Sequence, residues 1–411
     1  MPSSRKVLVF GSINIDDFFD VPHIVNSGET LTSTNYRQRA GGKGANQAVA
    51  LAKAGANVYH AGKIGSDGIW IKDYMRKQGV HVENIQVHKD QPTGRAIVQV
   101  SAETHDNAII LLPGANSLIT VQDAEKINPV FRRGDIAILQ NEISAGGEIM
   151  KALKEQGFNI IFNPTPITPN IIREFPFELV DYLIVNKHEA IQLANQATSN
   201  LHRDDEDNEV LKMDTYASTK ESLIKTLGEL HPNITGIILT LGSDGVIARF
   251  NNHNYNIESE GKQGDRNIVK QQRHFKLEVP VIETDVIDTT AAGDTFIGYF
   301  VASIIREENT NRDSFVLTKE CYLRALQEAT VAAGIAVSRP GAMDSIPPLA
   351  KVKAGMKVFD EPPMDYVEYE EDLGPQRSTL LCDDLLEKHF TLQNCDSPVI
   401  GENYQIIKPY S

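Results

Sequence analysis

The sequence predicts an α/β fold: a doubly wound, mostly parallel sheet flanked by helices, with a small β-sheet lid. Three observations lead there. From residue 58 onward, short apolar runs alternate with segments of helical period, the rhythm of parallel strands joined by crossover helices. Several of those runs end in a polar residue, which gathers ligand-contacting groups at one edge of the sheet. Two stretches, 18–40 and 91–112, break the rhythm with aromatic, β-branched and alternating residues that suit strands outside the main sheet.

Composition narrows the class. A chain of 411 residues with 41% hydrophobic content can bury a substantial core. Its formal net charge of −15 argues against a general nucleic-acid or anionic-membrane surface, and leaves small molecules or proteins as partners. Three cysteines, Cys321, Cys382 and Cys395, lack C-x-x-C spacing and fit a reducing compartment. No apolar run approaches the roughly 18 residues that span a bilayer. A cytoplasmic location is expected, with the nucleus left open as a second one.

The first strand, residues 6–10, ends at Gly11-Ser12 and is followed by Asn14, Asp16 and Asp17. An amide and a carboxylate at a strand end offer donors and acceptors suited to a diol, with an ordinary polar turn as the plainer alternative. Next comes Gly41-Gly42-Lys43-Gly44-Ala45-Asn46-Gln47, ahead of a helical pattern over 48–54 that stops at Gly55. The glycines let backbone close on a ligand, while Lys43 and Asn46 bring charge and an amide to a helix start. The spacing is not G-x-x-x-x-G-K-[ST], so a P-loop is excluded; a tight helix entry with no ligand competes. The off-rhythm strands read as the lid, formed from about 13–40 and 91–115.

Further strands are expected at 58–64, 135–140, 159–163, 182–186 and 236–240. Helices are expected near 69–78, 147–156, from 189, over 294–307 and 318–334, and finally up to 358. Asn141-Glu142, Asn163, and Asn186 with Glu189 stand at three of the strand ends. Thr240-Leu241-Gly242-Ser243-Asp244-Gly245 reads equally as a nucleotide contact or as a hairpin turn between 237–239 and 246–248. Polar runs at about 200–215 and 251–276 read as surface insertions of a domain covering 1–358. Residues 359–411 read as an acidic C-terminal extension.

The segment that organises the chain is Asp288-Thr289-Thr290-Ala291-Ala292-Gly293-Asp294-Thr295-Phe296. Val286 and Ile287 finish a strand-like run before it, and Phe296, Phe300 and Ile304 recur with helical spacing after it. It is therefore a loop feeding a helix, where small residues open the first amides to an anion such as phosphate. Asp294 would sit in that positive pocket as a general base for a hydroxyl attacking a phosphoryl group. A plain helix cap is the alternative.

Together the 41–48 and 288–296 motifs, with Gly11-Ser12-Ile13-Asn14-Ile15-Asp16, resemble the ribokinase-like (pfkB-type) carbohydrate kinase family from about Val7 to about Pro348. The 288–296 motif is shared across most of that superfamily, while the 41–48 motif with residues 11–16 is closer to the ribose-phosphorylating branch. The resemblance implies ATP-dependent phosphorylation of D-ribose at O5, giving ribose 5-phosphate. Asp294 would be the base, and Ala291, Ala292 and Gly293 the anion hole. Asn14, Asp16, Gly42, Lys43, Asn46 and Glu142 fall on sugar contacts. Asn186, Thr240, Leu241, Gly242, Ser243, Asp244, Gly245, Gly293 and Thr330 fall on the nucleotide, with Glu189 acting indirectly on Mg²⁺. Asp288, Thr290, Ala336, Arg339, Gly341 and Ser345 match potassium ligands, several through backbone carbonyls. A homodimer through the lid is also implied. Lys187-His188, the two insertions and the extension depart from a compact bacterial member. Another acceptor (fructose, 2-deoxyribose or adenosine) and a non-catalytic sugar-binding regulator remain rival readings.

Overall fold

The computed structural model describes residues 5–104, 106–127, 130–201, 219–252, 256–260, 266–270, 273–308, 317–359 and 369–371. In chain order the first half contains β1 (Lys6–Phe10), β2 (Asn14–Val21), β3 (Asn35–Gly41), α1 (Lys43–Lys53), β4 (Asn57–Gly65), α2 (Ile69–Lys77), β5 (Ile85–His88), β6 (Gly94–Ser101) and β7 (Asn107–Leu112). There follow α3 (Val121–Glu125), β8 (Ile136–Gln140), α4 (Gly146–Glu155), β9 (Asn159–Asn163), α5 (Ile171–Glu174), β10 (Tyr182–Asn186), α6 (Lys187–Leu201) and α7 (Lys220–Leu230). The rest comprises β11 (Gly236–Thr240), β12 (Val246–Asn252), β13 (Asn256–Glu260), β14 (Arg266–Lys270), β15 (Arg273–Val279), α8 (Ala292–Glu308), α9 (Lys319–Val337), α10 (Leu349–Gly355) and β16 (Tyr369–Glu371).

Ten strands form the main sheet in the order β16-β15-β12-β11-β10-β9-β8-β1-β4-β5. From β11 to β5 every pairing is parallel, and β12, β15 and β16 continue the sheet antiparallel. Successive residues of β1 enter opposite layers: Val7 and Val9 pack toward α1, α8 and α9, Leu8 and Phe10 toward α4, α6 and α7. Both faces of a parallel sheet are covered, so its strands read as continuous apolar runs. The order places the topological switch between β1 and β8, because the chain first builds outward to β4 and β5 and then returns to β8. Open α/β sheets leave a crevice beyond the strand ends at such a point.

The off-rhythm strands form a separate four-stranded sheet, β3-β2-β6-β7, confirming the lid. β2 pairs parallel with β6 and antiparallel with β3, with Asn14 opposite Gly41 at the end nearest the switch point.

Two expectations need correction. Val286 and Ile287 do not end a strand; they lie in an extended loop, 65% and 63% exposed, where the Ile287 amide donates to the Val337 carbonyl. The polar run 251–276 is not wholly an insertion, since β12 reaches Asn252 and β15 begins at Arg273. Phe275, Leu277 and Val279 alternate with His274 and Lys276, and all but the partly buried Phe275 are buried, as befits a strand covered on both faces. The expected insertion at 200–215 lies outside the described residues beyond Leu201, and the expected extension at 359–411 does so apart from Phe359 and β16. Cys382 and Cys395 fall there too; Cys321 is a free thiol. No helix among the described residues is long and apolar enough to cross a membrane.

Candidate active site

A cleft of ≈ 1100 Å³ opens at the switch point between the strand ends and the lid. Its floor begins at the turn from β1 into β2. Gly44, near the start of α1, packs against this turn so closely that an added Cβ would stand 2.7 Å from the Gly11 backbone. Gly42, at φ +92°, turns the chain into α1 with equally little room. These contacts aim the first turn of α1 into the cleft.

Two helices meet there. Asn46 and Gln47 of α1 each donate a side-chain N–H to the Asp294 carboxylate of α8, at 2.9 Å to Oδ2 and Oδ1 respectively. The loop before α8 turns through Ala291 in the left-handed region, φ +62°, a conformation that costs a non-glycine residue about 1–2 kcal/mol. The Ala292 amide donates to Thr289, and the first intrahelical acceptor, Ala291, takes the amide of Thr295. The amides of Gly293 and Asp294 have no acceptor among the described residues, which leaves them open to an anion at a helix N-terminus. Of the expected 291–293 hole, the Ala291 and Gly293 amides are open among the described residues, and the Ala292 amide is engaged with Thr289.

Charge is concentrated around this point. Burial raises the Asp294 pKa, and Lys43 with the two amide donors only partly offsets it. Burial would lower the Lys43 pKa, but Asp294, Glu142, Glu189 and Asp16 outweigh it, so the ammonium holds its proton firmly. Asp16 is pushed up to about 7 by burial first, then by Glu142, Asp17 and Asp294, with Lys43 opposing. Glu142 accepts from the Ser12 hydroxyl and the Lys43 amide, which fixes the carboxylate under the α1 entry.

Hydrogen bonds divide the remaining polar groups into donors and acceptors. Asn14 Oδ1 accepts from Asn116 at 2.8 Å, so its amide N–H₂ is left for a ligand. Asn46 Oδ1 is buried without a partner and faces the opposite need, a hydroxyl donor. With the Asp16 carboxylate these groups suit a vicinal diol.

Residues 4–349 match the model of the pfkB family carbohydrate kinases. The chain belongs to that family. This family member is 31% identical to the ribokinase of Haemophilus influenzae over 84% of its own length and 96% of that relative's. It is 30% identical to the ribokinase of Lactococcus lactis over 86% and 98% of the two chains. Among solved structures, ribokinase from Cryptococcus neoformans in complex with ADP superposes with a TM-score of 0.64 at 33% identity, covering 86% of this chain and 99% of that one.

The cleft of this carbohydrate kinase is lined by Asn14, Asp16, Gly42, Lys43, Asn46 and Glu142 together with Asn186, Glu189, Thr240, Asp288, Thr290 and 291–294. Leu241, Gly242, Ser243, Asp244 and Gly245 do not line it; they form the hairpin turn between β11 and β12. Thr330 is buried in α9, where its hydroxyl donates to the Leu326 carbonyl, and it is absent from the cleft wall. Asn186 and Glu189 cap each other: each backbone amide donates to the other's side chain at 2.9 Å, and Glu189 also accepts from Thr165. Both Glu189 oxygens are thereby engaged, which fits an indirect influence on a cation rather than direct ligation.

The residues matched to potassium lie on the loop before α8 and at the end of α9 with the loop after it, joined by Asp288. Its carboxylate accepts from the amides of Thr290 at 2.9 Å and Gly341 at 2.8 Å. Burial tends to raise its pKa, but these hydrogen bonds and Arg39 hold it below the usual carboxylate range. Ser345 donates its hydroxyl to Ala342, and the Arg339 amide donates to Ala336. The potential donors are oxygens throughout, a set that fits a hard cation. Sequence reasoning missed Asn116, Gln140 and Arg39 as cleft-shaping residues. None belongs to a recognisable spacing, and each reaches the site only through the fold.

Proposed function

We propose that this chain is an ATP-dependent kinase that phosphorylates D-ribose at O5 to give ribose 5-phosphate. The observation that carries the reading is the Asp294 carboxylate, gripped by two amides and set beside open helix-start N–H groups. A hydroxyl nucleophile needs a positioned base, and the γ-phosphoryl needs positive electrostatics where charge develops. Asp294 takes the proton from O5, the amides of the Ala291–Gly293 hole and the helix start face the phosphoryl oxygens, and Lys43 balances the anionic cluster. Asn14, Asp16, Asn46 and Glu142 hold the sugar's other hydroxyls. Relatives bearing the ribokinase name at about 30% identity support ribose as acceptor, and the ADP complex of one supports the nucleotide.

ATP would extend from the helix-start amides toward Asn186 and the Thr240–Gly245 turn. Mg²⁺ would travel with its phosphates, under the influence of Glu189. Asp288, Thr290, Ala336, Arg339, Gly341 and Ser345 would hold potassium, which when bound adds positive charge beside the anion hole. Protomers would pair through their lids.

A coupled ATP-consumption assay over ribose, 2-deoxyribose, fructose and adenosine, with and without potassium, tests the reading. Ribose should give the highest kcat/KM, and potassium should raise the rate. Preference for fructose or adenosine would sink the ribose assignment, and ribose binding without ATP consumption would favour a sugar-binding regulator. Asp294→Asn should keep the fold and lose about 10³-fold or more in kcat.

A further inference from the structure

Behind Asp294 lies a chain of fully buried amides that the proposed chemistry leaves unused. Gln140, the last residue of β8, donates from Nε2 to Gln47 Oε1 at 2.6 Å. Gln47 in turn donates from its own Nε2 to Asp294 Oδ1 at 2.9 Å, with a longer contact of 3.4 Å to Asn163. Both glutamines are 0% exposed. Gly11 makes room for the Gln140 amide, since an added Cβ there would sit 2.1 Å from Gln140 Oε1. Gln140 Oε1 is buried without a partner among the described residues, so the pair carries a desolvation cost that an apolar pair of similar shape would not.

We propose that Gln47, oriented by Gln140, is a positioning residue that holds the Asp294 carboxylate in its proton-accepting orientation. This rests on the reading of Asp294 as the base. A glutamine amide has two nearly isosteric ends, and only the N–H₂ end is compatible with a carboxylate. The Gln140 donor on Gln47 Oε1 favours the end that faces Asp294, because the flipped amide would set oxygen against the Asp294 and Asn163 oxygens and N–H₂ against the Gln140 N–H₂. Asn46 grips the other carboxylate oxygen, so two donors fix the plane of the group. The relay runs from the central sheet through α1 to α8 and joins the three elements that build the cleft floor.

The donor also biases protonation. A hydrogen bond to the charged form of a carboxylate favours ionisation, so removing one shifts Asp294 toward the acid form. The charged groups facing Asp294 are Lys43 at the start of α1, Glu189 on α6 and Asp16 on β2, and all remain in place when Gln47 or Gln140 is changed.

The test is the pH profile of kcat for Gln47→Met and Gln140→Met in the full chain, with ribose and ATP saturating and Asp294→Asn in parallel. For Gln47→Met, kcat should fall about 10- to 100-fold, as expected for the loss of a hydrogen bond to a charged group, while the KM for sugar changes less than about threefold. The acidic limb should move upward by about half a pH unit or more. Gln140→Met should move it in the same direction by less, and carries the test alone if Gln47→Met does not fold. If both variants fold and kcat drops by the same factor at every pH, the glutamines are packing elements and the proposal fails. Retained activity in Asp294→Asn would instead sink the base assignment, and the relay with it. Loss of activity in Asp294→Asn with an unmoved limb in the glutamine variants would sink the relay alone.

Discussion

Asp16 is the residue whose ionisation should be most visible in solution. Its pKa is pushed up to about 7, against 3.8 ordinarily, so the folded protein holds a proton there that the unfolded chain gives up. Stability from this group is therefore fully present below about pH 4 and lost as pH rises through about 7. Asp16→Asn removes that slope: its melting temperature relative to the parent should rise between pH 5 and pH 8, which thermal denaturation of the ligand-free protein reads directly. Binding has the opposite sign, because a sugar hydroxyl donates more strongly to the carboxylate than to the acid. The KM for ribose should increase as pH falls below about 7, and a flat KM between pH 6 and 8 would remove Asp16 from sugar contact. Asn14, Asp16 and Asn46 were legible as polar groups at a strand end and a helix start. Their division into donor and acceptor was not, because it depends on Asn116, 102 residues from Asn14 in sequence. Gln47 lay inside a recognised motif and still escaped notice. An amide in the first turn of a helix carries no mark of what lies opposite until the second helix is placed.

At the scale of elements, the site depends on how closely α1 approaches α8. Asn46 and Asp294 touch, and one helical turn further along each helix stand Ala50 and Gly298. A Cβ on Gly298 would lie 2.4 Å from the Ala50 Cβ and 2.9 Å from the Leu51 amide nitrogen, so the glycine sets the spacing of the helices. Glycine inside a helix costs about 1 kcal/mol relative to alanine, yet here the larger residue has no room. Gly298→Ala should therefore destabilise the protein, by about 1–3 kcal/mol for an overpacked core, despite its better helix propensity. It should also lower kcat by prising Asp294 from its two donors. Urea unfolding and steady-state kinetics check both, and a stabilised, fully active Gly298→Ala would show that the helices meet without this restriction. The parallel strands and their helices were readable because apolar runs and helical periods alternate without ambiguity. β15 was hidden by its composition, since His274, Lys276 and Glu278 make a core-sheet strand look like a polar loop. The loop before Asp288 was misread for the converse reason: Val286 and Ile287 are apolar but exposed at the cleft.

Across the whole molecule, the lid is the part least able to stand alone. It is tied to the body by Arg95, whose guanidinium bridges Asp17 of β2 at 2.7 Å and Asp67, in the turn after β4, at 3.0 Å. Its edge strand β7 leaves Ile109, Ile110, Leu111 and Leu112 exposed at 55%, 60%, 50% and 47%. Ile109 and Leu111 line the cleft, where a bound sugar gives them a reason to be apolar. Ile110 and Leu112 alternate away from it, and no ligand in the cleft can account for them. An apolar edge with open N–H and C=O groups is a template for pairing, and a two-fold contact between lids would cover it on both protomers at once. Sedimentation should accordingly show a dimer at micromolar concentration. Ile110→Asp combined with Leu112→Asp should yield a monomer that melts within a few degrees of the parent, because neither side chain belongs to the core. Its KM for ribose should rise more than its kcat falls, since the Asp294 cluster is untouched while the lid loses its support. A wild-type monomer at working concentration, or a double variant that still dimerises, would show that β7 is not the pairing edge.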